Sequence, residues 1–475
     1  MYELVSPVNS AGILKYLGLI MIGIGAVMAV PLIVALFFSE WFIAGIYAVI
    51  ATLIIILGTL VSRLLPEYDL QWKDAMVIAA IIFPLSSLLS AIPFSLSTGM
   101  PFLDAFFEAA SGLTTTGLSV APPDVGPVFL FARSWLQWIG GIGIVLIVIS
   151  VLIPPGVSAF RLFMINIGDQ KLRPGVVGTA TLLGKIYCII TIAAFLLLLL
   201  GGMPVFDAVC HALCTVSTGG FSTHSESIAA FPGFLVPFVV TVACVMGSVN
   251  FAIFPRLLHN PLELFSSVQL LWFFGIAAAG TLLITVVLSG SVPVTEALSL
   301  AAFQAFSALT SAGFATADVN AFPPAAKAVL TVLMWIGGSV GSTAGGMKIL
   351  RIIIILKVIH LVFIRFFLPK EALTPLRVRD STVDSNDLQT LIAFVALYMA
   401  FTVVSAYIFM LYGFPLEDAL FEVSSAIGTV GLSCGITSAA LPGMLKGVLI
   451  LDMLLGRIEI IPVCILLFPR TWVKG

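Results

Sequence analysis

At 475 residues, with 60% hydrophobic and 9% charged side chains, the chain lies far from the soluble average, in which about a quarter of residues are charged. That balance excludes a soluble domain and points to a polytopic membrane protein. The net charge of -2 says little, because opposite charges on opposite faces of a bilayer cancel in the sum. Six cysteines, at 188, 210, 214, 244, 434 and 464, fall almost entirely in apolar segments and read as small buried side chains rather than a disulfide framework. Cys210-His211-x-x-Cys214 has the look of a helical metal pair, but it has no partner cluster, and packing is the better reading.

In chain order, residues 1–68 form an N-terminal hairpin. An apolar run from Tyr16 to Phe38 is too long for a signal-peptide core, and a second run from Trp41 to Val61 follows it. The rest divides into four copies of one unit, at 69–168, 169–262, 263–382 and 383–475. Each copy reads span, short Pro-initiated segment, loop, span. The spans are Lys73 to Phe94 and Phe129 to Ile153, Thr181 to Leu200 and Phe234 to Phe254, Val268 to Leu288 and Ala328 to about Ile359, and Leu388 to Leu411 and Leu445 to Leu467.

The loops carry the repeat signature. They read Thr114-Thr115-Thr116-Gly117, Ser217-Thr218-Gly219-Gly220, Thr310-Ser311-Ala312-Gly313 and Gly428-Thr429-Val430-Gly431, each followed by an apolar residue. Nine residues before the last glycine stand Glu108, His211, Gln304 and Glu422, and six before it stand Ser111, Cys214, Ser307 and Ser425. A single loop of this kind is usually a helix cap, but four aligned copies are not accounted for that way. The preceding segments begin with Pro101, Pro204, Pro293 and Pro415, and the third begins about one helical turn earlier than the others. These segments are too short to cross a bilayer, which takes about 20 residues, so they read as re-entrant helices.

With the loops outside, only Arg133, Lys327 and Lys446 of the 21 Lys and Arg residues lie outside, and Arg457 lies within a span. The others gather on the opposite side, which the positive-inside rule makes cytoplasmic, with both termini. The outer segments are acidic and would concentrate cations. Four parallel copies around one axis would bring four loops to the centre. Their backbone carbonyls and hydroxyls could replace the water of a bare cation. Glycine permits close approach there, and the C-terminal ends of four half-helices favour positive charge.

Trp335 to Lys348 contains Gly337, Gly338, Ser339, Gly341, Ser342, Thr343, Gly345 and Gly346. Each glycine costs about 1 kcal/mol relative to Ala in a helix, so the third inner span should break at mid-membrane. An unwound segment there is tolerable where it lines an aqueous cavity. Arg457 is the one basic residue well inside a span and should face the bundle interior, with Asp452 of a neighbouring turn as one possible partner. Glu108, His211, Gln304 and Glu422 are placed to hydrogen-bond the loops from behind. The basic stretch from Lys348 to Arg379 is either a solvated loop or a site for anionic lipid.

These loops, the Trp335–Lys348 motif and Met453-Leu-Leu-Gly-Arg457-Ile-Glu459 resemble the Trk/Ktr/HKT superfamily of potassium transporters, and the N-terminal hairpin resembles its TrkH branch. The resemblance implies an all-α fold with four pseudo-fourfold span, pore helix, span repeats around a central pore. It implies K+ held by the sixteen loop residues named above, a gating loop at 337–346, and Arg457 as a positive element in the ion path. It also implies a homodimer in the inner membrane of a prokaryote, with a cytosolic nucleotide-binding regulatory subunit of the TrkA type. The chain has no nucleotide fingerprint of its own and nothing points to nucleic acid. Two other readings stand beside it. One is a secondary ion-coupled transporter, a K+/H+ or K+/Na+ symporter or a Na+-permeable relative; a secondary transporter with broken helices would typically show inverted repeats, whereas two spans per copy give parallel ones. An intramembrane enzyme would need a nucleophile or metal motif, and neither His-Glu-x-x-His nor Gly-x-Ser-x-Gly occurs.

Overall fold

The computed structural model describes residues 7–68, 71–151, 176–259, 267–369, 374–378 and 381–472. Leu152 and Ile153, the basic residues Arg161, Lys171, Arg173, Lys370, Arg379 and Lys474, and the repeat boundaries near 168 and 262 lie outside them. The described residues are helical apart from short loops and one small hairpin, in which Arg377–Val378 pairs antiparallel with Ser381–Thr382.

Among the described residues six helical segments are long and apolar enough to cross a membrane. Two make the N-terminal hairpin: Ser10–Met28, continued by Val30–Phe37, and Trp41–Leu64. Their backbones nearly touch, since a Cβ on Gly58 would lie 2.6 Å from the Gly18 carbonyl oxygen. Small residues allow such contact where lipid gives helices no hydrophobic drive to associate. The other four are the first span of each repeat, Trp72–Thr98, Val176–Leu200, Val268–Leu288 and Ser385–Leu411. They form the outer layer.

Inside it lie the short helices Phe102–Leu113, Val205–Val216, Val294–Leu309 and Leu416–Ile427. Each takes a proline as its N-cap and carries a carboxylate in its first turn. The ring fixes φ for helix entry and the carboxylate meets the positive end of the helix dipole. The third has 16 residues against 12 in the others, the extra turn expected from its earlier proline.

The second span of each repeat differs from the first. Pro127–Val151 runs through, but the third breaks between Pro324–Ile336 and Ile349–Arg365, as the glycine run predicts. Two further breaks correct the expectation of continuous spans over 234–254 and 445–467. Leu235–Ser248 turns by 90° into the segment starting at Phe251, and Gly443–Ile458 stops before Ile461–Leu467. At the first break Val249 is extended and the Asn250 side chain caps the new turn at Ala252 N (2.9 Å). The carbonyls released there find partners in the third repeat, with Ser339 N on Ser248 O (2.9 Å) and Thr343 N on Gly247 O (3.1 Å). At the second, Glu459 takes left-handed backbone (φ 65°) and Ile460 follows at φ 28°. Non-glycine residues there cost about 1–2 kcal/mol each, and the Arg351 guanidinium holds the Glu459 carboxylate at 2.7 Å.

Apolar clusters close the four repeats into a ring. Phe131 of repeat 1 packs on Cys210 and Leu213 of repeat 2, Phe303 and Phe314 of repeat 3 enter the core of repeat 2, and Phe421 and Val430 of repeat 4 enter that of repeat 3. The largest cluster joins Phe107 of repeat 1 to Val423 and Leu449 of repeat 4, with Tyr47 of the hairpin against it. The two ends of the described chain meet, Val8 N donating to Thr471 O (3.0 Å), so they lie on one side of the molecule.

Candidate functional site

Each short inner helix ends the same way. Thr115, Thr218, Ser311 and Thr429 turn left-handed at φ 55°, 53°, 52° and 48°. The next N–H then reaches back to the carbonyl five residues earlier: Thr116 to Ser111, Gly219 to Cys214, Ala312 to Ser307 and Val430 to Ser425, at 2.8–2.9 Å. This is the bond pattern of a helix C-cap that usually holds glycine. Four hydroxyl-bearing residues hold it here, so the surrounding fold imposes the turn.

The chain then meets its neighbours. A Cβ on Gly117 would stand 2.2 Å from Gly219 O, on Gly220 2.3 Å from Ala312 O, on Gly313 2.0 Å from Val430 O, and on Gly431 2.0 Å from Thr116 O. Each aligned glycine therefore packs on the carbonyl of the residue before the next one, and the four contacts close a circle. At φ 94°, 80°, 72° and 94° these positions also favour glycine by conformation. All four glycines border one cavity of about 830 Å³, whose rim carries Glu226 and Asp318. Thr114, Thr115, Thr116, Ser217, Thr218, Thr310, Ser311, Ala312, Thr429 and Val430 are buried beneath it, as are Gly219 and Gly428.

On the side away from the cavity lies the broken segment of repeat 3, 337–348. Thr343 Oγ1 bonds Val216 O (3.1 Å) and receives Thr218 Oγ1 (3.2 Å), while Gly345 N donates to Ser311 Oγ (2.6 Å). A Cβ on Gly345 would lie 2.2 Å from Gly428 O. The segment thus abuts the loops of repeats 2, 3 and 4. Gly337 enters it at φ 70°, ψ -166°, backbone open essentially to glycine alone. Gly337, Gly338, Ser339, Ser342, Thr343, Gly345 and Gly346 are buried and Gly341 is half-buried.

The family described as "TrkH: Cation transport protein" matches residues 42–471. The chain belongs to this family. It is 32% identical to the Trk system potassium uptake protein TrkH of Halomonas elongata, across 97% of this chain and 99% of that protein. It is 31% identical to the Trk system potassium uptake protein TrkG of Escherichia coli K12, across 94% and 95%. The crystal structure of the potassium transporter TrkH from Vibrio parahaemolyticus superposes with a TM-score of 0.87 at 26% identity, covering 98% and 99% of the two chains.

Within this TrkH-family fold, the polar residues behind the loops do unequal work. Glu108 accepts from Ser119 Oγ (2.7 Å), Val120 N (2.6 Å) and Ala121 N (3.0 Å). Glu422 accepts from Ser433 Oγ (2.8 Å), Cys434 N (3.1 Å) and Thr437 N (3.0 Å). His211 lies 2.9 Å from Ser222 Oγ through Nε2 and donates from Nδ1 to Asp207 O (2.8 Å). Glu108 and Glu422 thus brace the backbone a few residues past the glycine rather than the loop itself, and His211 reaches only the Ser222 hydroxyl there. Gln304 makes no such bond: both polar atoms of its fully buried side chain lack a partner, at about 1–3 kcal/mol for each group left unpaired. The residues six before the glycine also brace, Ser111 taking Gly117 N and Ser425 taking Gly431 N, both at 3.0 Å. Cys214 cannot do this well, and Gln137 of repeat 1 stands in. Its amide donates to Gly219 O and accepts from Phe221 N (3.2 Å). The sequence reading missed Gln137, although a lone glutamine in an apolar span is the kind of signal that singled out Gln304.

Every cation expected on the outer face is neutralised. Lys327 meets Asp418 at 2.9 Å, Lys446 meets Asp104 at 2.5 Å, and Arg133 lies 3.5 Å from Glu108 while donating to Ser222 O (2.6 Å). The vestibule therefore keeps an acidic balance. Arg457, by contrast, does not pair with Asp452, which takes Ser405 Oγ (2.9 Å) instead. Its Nη1 donates to Thr343 O (2.6 Å) and its Nη2 to Gly140 O (2.9 Å), so a guanidinium bound by backbone carbonyls ties the broken segment to repeats 1 and 4. Among the described residues no group of three or more His, Cys, Asp or Glu side chains could hold a metal ion, and Cys210 and Cys214 are buried free thiols.

Proposed function

We propose that this protein takes up potassium through a central pore whose selectivity filter is the ring of four glycine loops. The observation that carries the reading is the closed circle of glycine-on-carbonyl contacts at the floor of an acid-rimmed cavity. Carbonyls from four chain segments at one place are the chemistry that replaces the hydration shell of an alkali cation. The half-helices behind them present their negative dipole ends to the same spot. The relatives named as potassium uptake proteins support K+ as the ion.

In this reading residues 337–346 form the gate and the present conformation is closed. The segment fills the space under the filter, and Arg457 places a positive charge in the cation path while holding the segment by Thr343 O. Opening requires Thr343 and Gly345 to leave Val216, Thr218, Ser311 and Arg457. Both termini then lie in the cytoplasm, on the side that carries the basic residues. A TrkA-type nucleotide-binding subunit would dock on that side, and the protein would work as a homodimer in the inner membrane. The deciding experiment is growth of a potassium-uptake-deficient bacterium on low-K+ medium, paired with tracer Rb+ and Na+ flux in liposomes. Failure of the wild-type chain to rescue growth or carry Rb+ sinks the proposal.

A further inference from the structure

In three repeats the residue two past the aligned glycine is serine: Ser119, Ser222 and Ser433. In the third it is Ala315. Each of those serines bonds the polar residue nine before its own glycine, Glu108, His211 or Glu422. Ala315 offers no hydroxyl, and Gln304 is left with both polar atoms unpaired. The third loop thus lacks the brace its siblings have, although it sits directly on the broken segment through Ser311.

Ser307 Oγ still donates to Phe314 O within the repeat (2.6 Å), and the residue after it is held from the second repeat. Ser227 Oγ accepts from Ala315 N (3.1 Å), and Ile228 N and Ala229 N both donate to Ala315 O (3.0 and 3.3 Å). Ser227 opens the short 3-10 helix Ser227–Ala230, and its φ of 55° lies in the left-handed region. Ile228 is fully buried, which anchors the turn. The His211 ring also stacks on Phe314 at 6.0 Å between centroids. Both backbone groups of Ala315 are satisfied, entirely by residues of another repeat.

We infer that Ser227 is a positioning residue for the third filter loop, supplied by repeat 2 in place of the brace that Gln304 does not make. The inference rests on the filter reading above and adds to it a determinant of ion selectivity outside the four glycine motifs. It also makes the seam between repeats 2 and 3 the place where a change in an outer loop reaches the pore.

The test is the Rb+/Na+ tracer flux ratio of the full chain in liposomes, with thermal stability measured on the same preparations. Ser227→Gly keeps the left-handed backbone and removes the acceptor. It should lower the ratio by about threefold to tenfold, the range for loss of one hydrogen bond, with little change in melting temperature. Ser227→Asn tolerates the same backbone and restores an oxygen, so its ratio should match wild type. Gln304→Leu should leave the ratio unchanged. Ala315→Ser places a hydroxyl within the reach that Ser119, Ser222 and Ser433 use, so A315S/S227G should recover the ratio lost in S227G. That double variant decides the matter if S227G does not fold. A wild-type ratio in S227G, or a loss in Q304L like that in S227G, overturns the inference while Gly313→Ser still shifts the ratio. If Gly313→Ser shifts nothing, the filter reading itself fails.

Discussion

The outer and inner layers of this protein obey different constraints. The outer spans are continuous apolar helices whose backbone bonds are made within the helix apart from those removed by Pro84 and Pro93 of Trp72–Thr98. Among the described residues three of the four inner spans are interrupted; the carbonyls freed at Gly247 and Ser248 are answered by repeat 3, and the backbone of 337–348 by repeats 2 and 4 and by repeat 3 itself. The lesson is that irregular backbone inside the bundle survives here where protein groups answer it or a cavity borders it. The outer layer could lose a contact and remain a set of helices. In the inner layer the same loss leaves a polar group buried without a partner.

Four experiments would break or sharpen this contrast. Removing Gly337 to Gly346 should have the largest effect, raising basal Rb+ flux by about tenfold or more. Several hydrogen bonds, each about 0.5–1.5 kcal/mol, hold that segment in place. A deletion that folds yet conducts more slowly than wild type would show that the segment is not a gate. Next, Gly431→Ser puts a Cβ 2.0 Å from Thr116 O at φ 94° and should cut the Rb+/Na+ ratio by roughly tenfold, since a strained non-glycine backbone costs about 1–3 kcal/mol. An unaltered ratio would separate selectivity from the glycine ring.

A severalfold rise in flux is expected from Arg457→Gln, which removes the positive charge and weakens the tie to Thr343 O and Gly140 O. Flux at or below the wild-type level in well-folded protein would show that the guanidinium does not restrain conduction. The smallest functional effect belongs to the outer layer. Gly58→Ala crowds Gly18 O, and such overpacking costs about 1–3 kcal/mol, so the melting temperature should fall while the Rb+/Na+ ratio stays constant. A changed ratio would mean that the hairpin reaches the filter and that the two layers are not independent.

Much of the fold was legible because repetition amplifies weak signals. One proline, one loop and one glycine say little, but the same offsets in four places assign each short helix, and the four-residue lengthening of the third was visible from Pro293. The break in the third inner span was legible too, since so many glycines and hydroxyl residues in a row cannot sustain a helix. The breaks at Val249 and Glu459 carried fainter marks, Gly247-Ser248 ahead of one and Pro462 just past the other. Val249-Asn250 and Glu459-Ile460 are ordinary dipeptides, and they bend because Ser339 and Thr343 take the carbonyls freed at one break and Arg351 holds the carboxylate at the other.

By itself the sequence determined the number of copies, the place of the glycine loops, the distribution of charge and the weak point at 337–348. All of these follow from local rules: helix propensity, hydropathy and the need for glycine at left-handed backbone. The tertiary structure alone decided that Arg457 answers carbonyls rather than Asp452, that Gln304 is left without a partner and that Ser227 supports a loop almost ninety residues away. A buried polar atom bonds to whatever donor or acceptor the packing brings within about 3 Å, and that partner is set by the arrangement of whole repeats rather than by any neighbour in the chain.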